Sequence, residues 1–158
     1  MSVTSDIVAS WRQPRVIVRR LLGQSRSEAF AFTLLLVALL LLFISLMPYL
    51  ARQAYFAPAQ PLSQRLFGAG LAILATIPLW YLLAALGHLV ARLMGGQGTF
   101  YGARIALFWA LVAISPALLL AGLVQGMVGL GTASNILGLL VMLGFLMFWS
   151  VNLREVEG

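Results

Sequence analysis

Three stretches without a formal charge decide what this chain can fold into. Ala29–Ala51, Leu66–Ala91 and Ile105–Leu153 hold 98 of the 158 residues and contain no Lys, Arg, Asp or Glu. A water-soluble domain needs charged surface on almost every element. About 20 uncharged apolar residues in helical form instead match a hydrocarbon core about 30 Å thick. The expected fold class is therefore all-α, a polytopic transmembrane helical bundle.

The third run has 49 residues, too many for one crossing. The cluster Gly126, Gly129, Gly131, Thr132, Ser134 and Asn135 supplies a turn within it. Four spans follow, at about 29–50, 66–90, 105–124 and 133–152, inside a bundle covering 29–153. Pro48 and Tyr49 close the first span. Pro58 and Pro61 mark the first loop, and Gly95–Gly96–Gln97–Gly98 ends the helix that continues past span two to Met94. A cleaved leader is the other reading of the first run, but its 23 residues exceed the usual 7–15 of a signal core. An uncleaved span is expected.

All ten basic residues are Arg, and five of them (Arg12, Arg15, Arg19, Arg20, Arg26) precede the first run. Within residues 1–28, Ile7, Val8 and Trp11 repeat at helical spacing. After Pro14, residues Ile17, Val18, Leu21 and Leu22 share a face that Arg15, Arg19 and Arg20 avoid. This pattern predicts an interfacial amphipathic helix, with Arg12, Arg15, Arg19 and Arg20 reaching anionic lipid headgroups rather than nucleic acid. Pro14 suits the first turn of a second helical segment. Four crossings place both termini on one side. Counting Arg92, Arg104 and Arg154 with the amino-terminal five, against Arg52 and Arg65 opposite, that side is cytoplasmic. Residues 154–158 form a short cytoplasmic tail.

Catalytic groupings are missing. The four acids (Asp6, Glu28, Glu155, Glu157) lie at the margins, Cys is absent, and no paired carboxylates, zinc motif or phosphate loop occur. The chain reads as no enzyme, with no cofactor and no metal site. His88, the single histidine, sits one turn before Arg92 near the end of span two. Its expected state is a neutral imidazole near the interface; a proton relay is the functional alternative. Pro78 and Pro116 fall mid-span and free the carbonyls of Leu74 and Val112, with Thr76 and Ser115 near enough to help satisfy them. Gly122 and Gly126 form a G-x-x-x-G pair and Gly68 with Ala72 repeats the spacing, marking close helix packing or self-association. Trp109 and Trp149 suit an aromatic belt, whereas Trp80 and Tyr81 suit packing inside the bundle.

The stretch His88-Leu-Val-Ala-Arg92-Leu-Met-Gly95-Gly96-Gln-Gly-Thr-Phe100 resembles the end of a span in bacterial members of the Yip family, named for interaction with Ypt/Rab GTPases. Phe108–Pro116, with a small residue before the proline, and Leu153–Gly158 are similar to two further family segments, so that His88, Arg92, Gly95, Gly96 and Pro116 carry the resemblance. Family members commonly have five spans, with a segment like Leu153–Gly158 before the last; here Glu157 stands where histidine is frequent. The resemblance implies membrane organisation and, in eukaryotic relatives, vesicle trafficking, with no catalytic residues. The expected role is non-enzymatic, organising membrane or supporting a membrane complex, in a bacterial inner membrane. Its partners would be lipids, other membrane proteins or a second copy. The alternatives are a small transporter or channel using His88 and the Pro78 and Pro116 kinks, and an accessory subunit of a respiratory or photosynthetic complex.

Overall fold

The computed structural model describes residues 3–23 and 27–158; Arg26 lies outside them. The helices are α1 (Val3–Ser10), α2 (Pro14–Gly23), α3 (Glu28–Phe56), α4 (Leu62–Ala75), α5 (Ile77–Leu93), α6 (Phe100–Ala113), α7 (Ser115–Val128) and α8 (Thr132–Glu157), and no strand occurs among the described residues. Glu28–Phe56, Leu62–Leu93 and Thr132–Glu157 are each long and apolar enough to cross a bilayer. The α6–α7 pair, bent by 45°, supplies a fourth crossing if counted as one.

Leu71, Leu79, Leu82, Leu86, Leu139 and Leu143 are among many large apolar side chains facing outward. In water they would form an aggregating patch far larger than soluble monomers expose. In lipid they meet their own kind. This is an integral membrane protein.

The helices overrun the expected spans. Pro48 does not close the first one: α3 continues through it for two more turns, because Pro costs one ladder bond and neighbouring helices can shelter the freed group. Likewise α8 runs to Glu157 and the α4–α5 rod begins at Leu62, which leaves connections of only five, six and three residues at 57–61, 94–99 and 129–131.

Pro78 and Pro116 act as expected in breaking helices, but the breaks fall just upstream, at Thr76 and Ile114. Each proline then occupies the first turn of the following helix, where its missing N–H costs least. At the first break, Thr76 Oγ1 donates to the Ile73 carbonyl at 2.6 Å and accepts from Trp80 Nε1 at 3.0 Å. At the second, the donor comes from far away in sequence: Trp11 Nε1 bonds the Ala113 carbonyl at 2.9 Å.

That bond reflects the largest departure from expectation. The amino-terminal segment forms two helices, with α2 starting at Pro14 as its sequence suggests. Its apolar face, however, meets protein. Ile17, Val18 and Leu21 are buried in the main core, with α2 packed on α6 and α8. Asp6 pairs with Arg20, so α1 and α2 fold as an antiparallel hairpin. The corner at Trp11 stacks edge-on against Phe148. It lies about 13 Å along α6 from Arg104 and about 9 Å along α8 from Arg154, at 1.5 Å per residue.

With the hairpin on one side and α3, α5 and α8 on others, α6 is central. From Tyr101 to Ala113, only Arg104 and Leu111 escape burial. Trp109 therefore belongs to the core, not to an interfacial belt, and its Nε1 donates to Ser10 Oγ at 2.9 Å. Trp80 and Tyr81 pack inside the bundle, against Phe145 and Phe108.

Candidate functional site

At the end of the bundle that carries the hairpin, α5 stops, the six-residue connection 94–99 turns, and α8 arrives. Gly95 makes the turn possible, since its φ of 96° lies in the left-handed region that side chains disfavour. The turn brings the last residues of α8 against His88. Nδ1 of His88 lies 2.6 Å from Oε1 of Glu157, and both residues are buried, at 3% and 6% exposure.

The connection is shaped around that carboxyl group. Gly98 N–H donates to Glu157 Oε2 at 3.0 Å, and Gln97 N–H donates to the Glu157 carbonyl at 2.8 Å. A methyl group on Gly96 would stand 2.8 Å from Oε2, and one on Gly98 would stand 2.7 Å from the carboxyl carbon. Neither glycine has positive φ; both are needed because the carboxyl group occupies the space. Phe100 covers the imidazole with ring centroids 4.3 Å apart. The arrangement seals a short polar contact from its surroundings, which strengthens it and makes loss of either partner costly.

Chemically the cluster offers one imidazole and one carboxyl group joined to each other. Groups of three or more His, Cys, Asp or Glu able to hold a metal are not found among the described residues. What the cluster does is tie three elements together: α5, the 94–99 connection and the end of α8.

Glu157 was not among the residues that sequence reasoning brought to His88, because an acid at the last turn reads as solvated. The available signal was the glycine spacing, which marks room for a side chain. Arg92 is exposed on the last turn of α5, and Pro116 is exposed at the start of α7, remote from the cluster by helix position. The motif residues His88, Gly95 and Gly96 are thus brought together, with Arg92 at the rim and Pro116 apart.

Ion pairs ring the same end. Arg19 bonds Glu155 and Arg104 bonds Glu28 at 2.7 Å. Arg12 and Arg15 are exposed, Arg19 has 78% of its side chain exposed, and Arg20 is partly covered in its pair with Asp6.

The two small-residue pairs separate. At Gly122 and Gly126 the backbone of α7 touches α3, so that a methyl on either would collide with Ser45 or Pro48. That pair seals a contact within the chain. Gly68 and Ala72 face outward, with nothing near Gly68.

A family model described as Yip1 domain matches residues 8–156. No curated protein and no solved structure matches the chain. The match runs from the last turn of α1 through every membrane helix and stops one residue short of Glu157, and so the chain belongs to the Yip1 domain family.

Proposed function

We propose that this protein is a non-enzymatic organiser of the membrane, with the α1–α2 hairpin as its working part. The observation that carries the reading is the corner at Trp11. The hairpin enters the bundle from one end, reaches roughly 9–13 Å along its neighbours and returns. A bundle of four crossings then carries two additional helices in one leaflet only, and a body broader on one side favours a curved bilayer. Arg15 and Arg19 stand exposed on α2, the limb that runs back from the corner, where long guanidinium side chains reach anionic phosphates while their stems lie in apolar surroundings.

The hairpin end is assigned to the cytoplasm, in a bacterial inner membrane. The support is the distribution of arginine: Arg12, Arg15, Arg19, Arg20, Arg92, Arg104 and Arg154 at that end, against Arg52 and Arg65 at the other.

The test is curvature sorting of the full chain, fluorescently labelled and reconstituted into vesicles of mixed size. The protein should concentrate on the smallest vesicles, more strongly with anionic lipid. Replacing Arg15 and Arg19 by Ser should remove the dependence on anionic lipid. Equal density on small and large vesicles sinks the reading.

A further inference from the structure

We infer that the opposite end of the bundle holds a site for one anionic phospholipid, with its headgroup at Arg52 and Arg65 and an acyl chain in the apolar cavity between the α3–α7 pair and α8. The site is independent of the hairpin. It begins with a charge imbalance written into the sequence: no Asp or Glu occurs between Glu28 and Glu155, and those acids, with Asp6 and Glu157, sit at the hairpin end.

Arg52 and Arg65 nevertheless line a single cavity of 280 Å³, with Tyr49, Gln53 and Gly129. Their acceptors are all neutral. Arg52 Nη1 donates to the carbonyls of Met127 at 2.9 Å and Gly126 at 3.5 Å. Arg65 donates to the carbonyls of Gln60 and Ala57, both at 3.1 Å, and to Gln53 Oε1 at 3.3 Å. These bonds fix the two planes through their contacts with α7 and the 57–61 connection. A guanidinium has five N–H donors, and these bonds do not cancel its charge. A phosphate is the complementary group, since its oxygens accept two donors at once from a guanidinium fork.

A second cavity, half-open and of 370 Å³, lies nearer the bundle centre, where the α3–α7 pair faces Gly138, Val141 and Phe145 of α8. On α3 its lining includes Ala38, Leu42 and Ser45, and the same helical stripe leads on to Tyr49 and Arg52. On α7 the stripe Ala121 and Gln125 leads likewise to Gly129, just past the helix end. The walls are overwhelmingly apolar, so water would lack partners there, and an unfilled space of this size would forfeit dispersion contacts. An apolar cavity of about 150 Å³ holds a benzene ring, so this one takes a hydrocarbon segment of roughly fifteen carbons. A basic cavity followed by an apolar one matches the order of groups in a phospholipid.

The experiment is native mass spectrometry of the full chain released from nanodiscs containing phosphatidylglycerol or phosphatidylcholine. The wild type should retain one phosphatidylglycerol at least about tenfold more often than phosphatidylcholine. Arg52→Gln with Arg65→Gln should abolish that preference, and Ala121→Phe, which fills the apolar cavity with both arginines intact, should lower phosphatidylglycerol retention by about tenfold. Arg52→Lys with Arg65→Lys keeps the charge but not the fork and should lower the preference without abolishing it, which serves if the Gln variant does not fold. Millimolar inorganic phosphate should not compete. Equal retention of the two lipids by the wild type overturns the proposal, as does unchanged retention in Ala121→Phe. Displacement by inorganic phosphate would mean a site for free phosphate and overturns it equally.

Discussion

The two ends of the bundle are built by different means. At the hairpin end, polar contacts join elements far apart in sequence: His88 to Glu157, Arg19 to Glu155, Arg104 to Glu28, and Asn152 Nδ2 to the Ala106 carbonyl at 3.2 Å. At the far end α3 and α7 touch backbone to backbone through Gly122 and Gly126, and arginines hold carbonyls rather than acids. Where both helices sit in lipid, apolar burial gives no preference for protein over solvent, so close approach and hydrogen bonds decide association. The far end relies on close backbone approach, and the hairpin end on polar partners that its glycines make room for. The difference is one of tolerance: a shape contact fails on adding a carbon, a polar contact fails on removing an oxygen.

Substitutions can break that contrast, and the largest effect belongs to the shape contact. Gly122→Val should destabilise the protein by about 3 kcal/mol or more, read as thermal unfolding in detergent. Gly68→Val, which meets nothing within 4 Å, should cost no more than about 0.5 kcal/mol. Equal effects would dissolve the distinction between the two small-residue pairs. At the other end, Glu157→Ala should cost about 2–3 kcal/mol by leaving His88 and the Gly98 N–H without their partner. Glu157→Gln can keep hydrogen bonds to both and should cost less than half as much; the same unfolding assay compares them.

A smaller effect sharpens the role of the hairpin. Trp11→Phe keeps the ring against Phe148 but removes the bond to Ala113, for about 1 kcal/mol, seen best as faster amide exchange in α1 and α2. Smallest of all, Arg19→Gln breaks a pair whose arginine is largely exposed, and should change stability by no more than about 0.5 kcal/mol.

The fold class and the helices were legible because membrane helices are long, uncharged and punctuated by Gly and Pro. Tertiary partners were not. The α2 pattern of Ile17, Val18 and Leu21 reads the same whether the face meets lipid or α6, since both are apolar. Trp109 looked interfacial for the same reason: its Nε1 needs an acceptor, and nothing in periodicity distinguishes a headgroup from Ser10 Oγ. His88 could be singled out, but its partner lies 69 residues away, across a turn whose glycines look like ordinary breakers. Gly122 and Gly126 were readable as a packing pair, and only the fold could assign them to α3 rather than to a second copy.

The hairpin also has a consequence in time. Trp11 is made early in synthesis, yet its acceptor at Ala113 comes 102 residues later and its ring partner Phe148 later still. Arg19 waits for Glu155 in the same way. The hairpin is therefore made well before the elements that hold it, and its seating waits first for α6 and then for α8. A nascent chain halted before α8 should leave residues 3–23 open to protease, and extension through α8 should shield them.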